Sequence, residues 1–242
     1  MGGVVEHYEN LLARHYSWMA GGFDAKAAEN EELLRRLGIA PAGSARALDL
    51  GCGSGFQSVA LANLGFAVTA VDLSETLLAE LATHKGDLPI DIVNGDIVEA
   101  DSFGDGFELA VCMGDTLTHL ESKSDVEAMF ADCRAAMEGG GRLVLGYRDL
   151  SHELDGLDRF IPVRADADTV FTCFLEFEPE TVKVHDLVYT RGADGAMTLN
   201  KSMYRKLRLP LDWVKSALAD AGFDIVHEET ARGAVTLMAS KR

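Results

Sequence analysis

Three glycines at alternate positions, Gly51, Gly53 and Gly55, follow an apolar run in the stretch 46-RALDLGCGSGFQSVALANLGFAVTAVDLS-74. Glycine lets the backbone turn tightly and approach a ligand closely, because no Cβ stands in the way. The helix predicted behind the glycines offers unpaired N–H groups at its first turn. Asp72, at the end of the next apolar run, can accept hydrogen bonds from the two hydroxyls of a ribose. This spacing indicates a nucleotide-like ligand at the carboxyl ends of two neighbouring strands.

The residues around the glycines narrow the choice of ligand. A dinucleotide-binding fingerprint, G-x-G-x-x-G, needs a third glycine where this chain has Phe56. Asp49, two residues before Gly51, would repel a pyrophosphate but suits the ammonium group of a methionine-derived cofactor. The pattern therefore favours S-adenosylmethionine over NAD, and a purely structural glycine turn is the remaining alternative.

The elements that would position these residues alternate between strand-like and helix-like periodicity. Short apolar runs, typical of strands buried on both faces, lie at Ala45–Leu50, Ala67–Val71, Ile90–Val93, Leu109–Met113 and Leu143–Tyr147. Between them lie amphipathic stretches, of which one ends at Gly65, one starts behind Ser74 and one starts at a capping box, Ser124–Glu127. Strand and helix in alternation predict parallel strands joined by right-handed crossovers in a layered α/β fold.

After Leu150 the pattern changes to that of antiparallel strands. The predicted strands alternate polar and apolar residues and are joined by turns that contain Pro or Gly; they are Val170–Glu178, Val182–Thr190 and Met197–Arg208. One-sided strands of this kind form a meander with one face packed on the rest of the protein. In the third strand the apolar side chains share one face and Tyr204 lies on the other. The sequence leaves open which of these faces points inward.

Composition excludes several classes of partner. The formal net charge of −17 argues against a nucleic acid or an anionic membrane surface, since both need clustered Lys and Arg. Four widely spaced cysteines without C-x-x-C spacing fit buried thiols in a reducing cytosol better than disulfides or a zinc site. The first residues, MGGVVEHYENLL, lack the regions of a signal peptide, and no apolar run has the length of a membrane span. We expect a cytoplasmic protein without a metal site.

The motifs resemble, in order, those of the class I S-adenosylmethionine-dependent methyltransferases. They span roughly residues 40–150 and read A-L-D-L-G-C-G-S-G, V-T-A-V-D-L-S, V-N-G-D-I, F-E-L-A-V-C-M-G-D and G-G-G-R-L-V-L. The resemblance implies a Rossmann-like, doubly wound, mostly parallel seven-stranded sheet with an antiparallel last strand. It implies S-adenosylmethionine as cofactor and S-adenosylhomocysteine as product, with the loop at Gly51, Cys52 and Gly53 along the methionine and ribose.

The resemblance also implies roles for residues around the adenosine. Asp72 would hold the ribose hydroxyls, and Leu73 would lie against the adenine. Asp96 and Ile97 match the pair of an acidic and an apolar residue that reads the adenine amino group and ring edge. Met113, after the fourth strand, would close over the cofactor.

The stretch 112-CMGDTLTHLES-122 is similar to the G-N-S-x-x-H-L segment of glycine and sarcosine N-methyltransferases. Amino-sugar N-methyltransferases also carry an antiparallel β insertion. Asp115 stands where the glycine and sarcosine enzymes have Asn, and an acid beside the methyl donor suits a cationic or amine-bearing substrate. His119 would lie near the methyl group, either as a general base or merely hydrogen-bonded to a loop carbonyl. Methyl transfer from a sulfonium relies largely on alignment, so a base is not obligatory.

Three further residues are candidates at the same edge of the sheet. Tyr16 lies in an N-terminal aromatic segment of the kind that covers the cofactor in related enzymes, with ordinary helix packing as the alternative. Arg148 leaves the fifth strand and would bind a substrate carboxylate or form a salt bridge with Asp149 or Asp115. Tyr204 would line the substrate pocket if its face of the meander points inward.

We predict three regions: an N-terminal helical cap at 1–40, a cofactor-binding domain at 41–149 and 209–242, and a β lid at 150–208. The predicted reaction is methyl transfer to a small molecule at an amine nitrogen, because a closed pocket leaves little room for a polymer. The alternatives are a small-molecule O-methyltransferase with His119 as base, an NAD-binding oxidoreductase, and a non-catalytic cofactor-binding subunit. The edge of the meander also allows pairing with a second copy as a homodimer.

Overall fold

The computed structural model describes residues 2–99 and 103–242, which form two β-sheets with helices packed against them. In chain order the strands are β1 (Arg46–Leu50), β2 (Ala67–Asp72), β3 (Ile90–Asn94), β4 (Phe107–Cys112), β5 (Met137–Arg148), β6 (Phe160–Ala165), β7 (Thr169–Phe177), β8 (Thr181–Arg191), β9 (Met197–Leu207), β10 (Phe223–Ala231) and β11 (Ala234–Lys241). The α-helices are α1 (Gly2–His7), α2 (Tyr16–Met19), α3 (Phe23–Arg36), α4 (Phe56–Asn63), α5 (Glu75–His84), α6 (Lys123–Ala136) and α7 (Leu211–Asp220). No helix in the two described ranges is both long and apolar enough to cross a membrane.

The first sheet has seven strands in the order β10-β11-β5-β4-β1-β2-β3. Strands β1 to β5 pair in parallel with one another, and β3 forms one edge of the sheet. Strand β11 pairs antiparallel with both β5 and β10. All six residues of β4 are buried, which explains why all but Glu108 are apolar. The Glu108 carboxylate accepts the N–H groups of Ala42, Gly43 and Ala45. The predicted Rossmann-like, doubly wound sheet with an antiparallel last strand is confirmed.

Each face of this sheet carries its own apolar core. In β4, Leu109 and Val111 pack with helices α3, α4 and α5, while Ala110 and Cys112 pack with α6 and α7. This alternation follows from the two-residue period of a strand, which sends neighbouring side chains to opposite faces. The two helical layers hold the carboxyl ends of β1, β2 and β4 at one edge of the sheet.

The helix boundaries test the predicted caps. The Ser74 hydroxyl accepts the Leu77 N–H and caps α5, as predicted. Helix α6, however, begins after Ser122, whose hydroxyl accepts the Asp125 N–H. The predicted capping box at Ser124 is therefore wrong, because an equivalent Ser-x-x-Asp pattern two residues earlier supplies the cap.

The second sheet is antiparallel, with the order β6-β7-β8-β9. Strand β6 was not predicted, and its Pro162 and adjacent bulge fit an edge strand. The face of Tyr204 points inward: Tyr204 and Lys206 are buried, while Met197, Leu199 and Met203 are about 40% exposed. The division into three regions stays a prediction, and its residues 1 and 100–102 lie outside the described ranges.

The N-terminal segment, residues 2–19, connects the two sheets. It consists of α1, a π-helical turn (Tyr8–Leu12), a 3₁₀ turn (Ala13–His15) and α2. The Glu9 carboxylate accepts hydrogen bonds from the hydroxyls of Ser74 and Thr76 at the start of α5. At its other end, Trp18 Nε1 donates to Asp166 Oδ2 of the lid at 2.6 Å. The segment thus lies across the carboxyl edge of the first sheet.

Candidate active site

The glycine loop after β1 is tied to the end of β2 by backbone hydrogen bonds. The N–H groups of Gly51 and Cys52 both donate to the Val71 carbonyl, at 2.8 and 3.0 Å. Gly51 has a φ of +71°, and a Cβ there would lie 2.2 Å from Thr116 Cγ2. Gly53 has a φ of +54°, and its Cβ would lie 3.3 Å from the Tyr16 ring. The absence of side chains leaves room for a ligand to lie along the backbone.

Asp72 organises the same loop. Its Oδ2 accepts the Gly53 N–H and its Oδ1 accepts the Ser74 N–H, both at 2.8 Å. Burial raises the pKa of Asp72, although both backbone hydrogen bonds favour the carboxylate. Each carboxylate oxygen has a second lone pair, so Asp72 can also accept the two hydroxyls of a ribose.

A first cavity, here called the loop cavity, lies above this loop and has a volume of about 90 Å³. Of the residues predicted to hold the cofactor, it is lined by Tyr16, Gly51, Gly53, Asp72, Leu73 and Ile97. Tyr16 is fixed by stacking on Phe56, with ring centroids 5.6 Å apart and planes 8° apart. The sequence analysis missed the lining residues Val4, Val5, Tyr8, Ser74, Leu77, Gly95, Gly114, Thr116 and Leu120.

Four predicted cofactor residues do not line the loop cavity. Asp49 and Cys52 are buried, at 1% and 2% exposure. Asp96 is flanked by two residues that do line the cavity, and its Oδ1 accepts the Val98 N–H. Met113 lines a second, neighbouring cavity instead. Direct contact with the cofactor therefore stays a prediction for these four residues.

Asp49 is a buried carboxyl whose Oδ2 accepts the Ser58 hydroxyl at 2.6 Å. Burial raises the pKa of Asp49 to about 7, and the Asp72 carboxylate contributes to the rise while the Ser58 hydrogen bond opposes it. Near neutral pH its ionisation therefore responds to any cation that binds close to the loop.

Binding of S-adenosylmethionine should accordingly release protons at neutral pH. The bound cation lowers the pKa of Asp49, so about half a proton should be released at pH 7, and affinity should rise from about pH 6 to about pH 8. Calorimetric titration in two buffers of different protonation enthalpy measures this release. Asp49→Asn should abolish it, and an unchanged release in that variant would assign the proton to another group.

The second cavity, here called the lid cavity, lies between the inner face of the β6–β9 sheet and the first sheet. Its volume is about 850 Å³. Tyr8, Tyr16, Gly114 and His119 line both cavities, so the two spaces meet at these residues. The three predicted substrate residues, Asp115, Arg148 and Tyr204, all line the lid cavity.

Asp115 is already paired with cations. Its Oδ2 accepts a hydrogen bond from Lys206 Nζ at 2.8 Å and lies 3.7 Å from Arg148 Nε, and its Oδ1 accepts the Arg148 N–H at 2.7 Å. Burial would raise the pKa of Asp115, but the two cations outweigh it and lower the pKa to about 2. The Asp115 carboxylate is thus ionised, and its charge is already balanced by Lys206 and Arg148. The sequence analysis expected this acid to be available to a cationic substrate. Of the alternatives for Arg148, the salt bridge to Asp115 is present.

His119 lies at the junction of the two cavities. Its ring stacks on Tyr204, with centroids 5.4 Å apart and planes 15° apart, and it lies 5.7 Å from the Tyr8 ring. Burial and, to a smaller extent, the nearby Lys206 cation lower the pKa of His119 to about 3. His119 is therefore a neutral imidazole at physiological pH. The sequence analysis missed Lys206, although it shares a strand face with Tyr204 at i+2.

Comparisons with known proteins agree with this site. A family described as a methyltransferase domain matches residues 47–141, which include the glycine loop and Asp72. A protein of Geobacillus sp. (strain WCH70) that bears the name of a methyltransferase is 27% identical over 191 residues, 76% of each chain. The glycine N-methyltransferase of Rattus norvegicus is 28% identical over 167 residues, 63% of this chain and 57% of the rat enzyme.

Solved structures share the fold. An S-adenosylmethionine-dependent methyltransferase from Clostridium acetobutylicum superposes with a TM-score of 0.75 at 16% identity, over 97% of this chain and 96% of that one. An amino pentose methyltransferase from Micromonospora echinaspora, solved with S-adenosylmethionine bound, gives a TM-score of 0.72 at 20% identity, over 95% and 94%. In its matched domain, its named relatives and its glycine loop with Asp72, the chain resembles the S-adenosylmethionine-dependent methyltransferases.

Proposed function

We propose that the protein methylates an amine nitrogen of a small molecule that binds in the lid cavity. The observation that carries this proposal is the meeting of the loop cavity and the lid cavity at His119, Tyr8 and Tyr16. A cofactor held by the glycine loop and Asp72 would direct its methyl group into that junction. The rat relative, which is named as a glycine N-methyltransferase, supports nitrogen as the acceptor.

The residues at the junction would act mainly by alignment. S-adenosylmethionine supplies an activated methyl group, which an acceptor lone pair displaces in line from the sulfonium. Tyr8, Tyr204 and His119 form an aromatic wall that excludes water and orients the acceptor. Met113, which lines the lid cavity beside Gly146, would limit the space behind the methyl group.

The chemistry of His119 favours nitrogen over oxygen as the acceptor. An alcohol must lose its proton during transfer, which requires a base with a pKa near the working pH. With a pKa of about 3, His119 is too weak a base for that task. An amine that is presented in its neutral form already offers a lone pair and needs no such base.

Calorimetric titration with S-adenosylhomocysteine, with NAD as the parallel control, tests the cofactor site directly. Labelled methyl transfer to pairs of small amines and alcohols of the same carbon skeleton then tests the acceptor. We expect micromolar binding of S-adenosylhomocysteine, no binding of NAD, and transfer to amines alone. Transfer to the alcohols but not to the amines would contradict the proposal.

Replacing His119 with asparagine should lower turnover by less than about tenfold, because the loss is one of orientation and not of general-base catalysis, which contributes about 100-fold or more. The affinity for S-adenosylhomocysteine should stay the same. The pH profile of kcat should show no inflection due to His119 between about pH 5 and about pH 8, since the ring is neutral throughout that range. A loss of turnover above about 100-fold would instead support the O-methyltransferase alternative.

A further inference from the structure

One carboxylate interrupts an otherwise apolar row on the inner face of the lid. The inward side chains of β8 are Val182, Val184, Asp186 and Val188, and all four are at most 5% exposed. Burying a carboxylate among valines is costly unless the charge is compensated. Asp186 therefore needs a physical reason for its position.

The partners of Asp186 do not supply a permanent cation. Its Oδ2 lies 2.9 Å from His7 Nε2, and its Oδ1 accepts a hydrogen bond from Cys173 Sγ at 2.9 Å. Burial, and then Asp186 itself, raises the pKa of the Cys173 thiol, which keeps it protonated as a donor. Among the described residues, no Lys or Arg forms an ion pair with Asp186, in contrast to Asp115. A carboxylate offers about four lone-pair positions, so roughly two remain open.

Asp186 and Cys173 both line the lid cavity. The ring of His7, which holds Asp186, lies 4.3 Å from the Tyr204 ring, and His119 stacks on Tyr204 at 5.4 Å. The rings of His7 and Tyr204 thus link Asp186 to His119 at the methyl-transfer junction. A substrate that accepts the methyl group beside His119 would extend past Tyr204 to reach this carboxylate.

We propose that Asp186 binds a second ammonium group of the acceptor, so that the substrate is a small diamine of which one nitrogen receives the methyl group. This inference rests on the proposed amine methylation. The second ammonium supplies the cation that the buried carboxylate lacks and donates to its open lone pairs. The formal net charge of −17 also attracts a polycationic ligand to the protein.

The test titrates the protein, saturated with S-adenosylhomocysteine, with a series of α,ω-diaminoalkanes of increasing length. Each diamine is compared with the alkylamine and the amino alcohol of equal length. We expect one length of diamine to bind about tenfold more tightly, or better, than both comparison compounds, since a charge-assisted hydrogen bond is gained. Asp186→Asn should remove this preference and leave S-adenosylhomocysteine binding unchanged.

Asp166→Asn is the matched control. It breaks the Trp18–Asp166 hydrogen bond, which also ties the N-terminal segment to the lid, but Asp166 does not line the lid cavity. This variant should keep the diamine preference. The inference would be overturned if the wild-type protein bound the diamine no more tightly than the amino alcohol or the alkylamine. Weaker S-adenosylhomocysteine binding in Asp186→Asn would also overturn it. The proposed function is tested separately by the transfer assay with amines and alcohols, which needs no second nitrogen in the substrate.

Discussion

Replacing Asp72 with alanine should weaken the binding of S-adenosylhomocysteine by roughly 10- to 150-fold, equivalent to about 1.5–3 kcal/mol for a charge-assisted hydrogen-bonding partner. The variant loses the predicted acceptors for the ribose hydroxyls. It also loses the acceptors that hold the N–H groups of Gly53 and Ser74, so the loop itself becomes less ordered. Calorimetric titration of the folded variant measures the effect.

Asp91→Ala provides the control for this prediction. Asp91 is an exposed carboxyl on the neighbouring strand β3 and does not line the loop cavity. The control removes one negative charge near the site, yet it should leave the affinity for S-adenosylhomocysteine within about twofold, because exposed charges are screened. Unchanged affinity in a folded Asp72→Ala variant would remove Asp72 from the cofactor site.

Replacing Gly51 with alanine should destabilise the fold by about 2–5 kcal/mol and abolish measurable cofactor binding. The left-handed φ of +71° costs a residue with a Cβ about 1–2 kcal/mol, and the overlap with Thr116 adds about 1–3 kcal/mol. Thr116 cannot easily move, since its hydroxyl donates to the carbonyl groups of Gly51 or Met113. Urea unfolding and titration with S-adenosylhomocysteine measure the two effects.

Gly38→Ala separates backbone strain from steric overlap. Gly38 has a nearly equal φ of +69°, but a Cβ there would meet no atom within 4 Å. This variant should lose only about 1–2 kcal/mol and should bind the cofactor normally. Equal losses of stability in the two variants would show that contact with Thr116 is not the cause of the defect at Gly51.

The sheet was predictable from the sequence because its strands are buried on both faces. In β4 the side chains from Leu109 to Cys112 all contact a core, so this apolar run is unbroken and marks the strand without knowledge of its neighbours. The glycine loop was predictable for a similar reason, since backbone conformation alone demands the residue type at Gly51 and Gly53. The local sequence is therefore sufficient to predict both the buried strands and the glycine loop.

The strands of the lid were predictable, but the direction in which their faces point was not, because the polarity of β9 does not match its burial. The apolar face of β9, with Met197, Leu199 and Met203, points outward, whereas the face with Tyr204 and Lys206 points into the site. Polarity alone would suggest the opposite orientation. Tertiary pairing decides it, since Lys206 reaches Asp115, which lies 91 residues earlier in the chain.

Long-range pairs also explain which site residues the sequence analysis missed. His7 and Asp186 are 179 residues apart, and neither belongs to a motif around the glycine loop. A hint did exist for Asp186, because a carboxyl in the valine row of β8 breaks the two-residue period. Its partner on the N-terminal segment could not be identified without the fold.

The antiparallel direction of β11 determines where another polypeptide can be joined to this enzyme. Near its end Ser240 pairs with Arg142 at the start of β5, and the Arg242 N–H donates to the Gly222 carbonyl. A fusion partner attached after Arg242 would therefore project from the edge of the sheet opposite the loop cavity. One attached ahead of α1 would begin next to Val4, which lines the loop cavity. Affinity tags and fluorescent reporters belong at the carboxyl end.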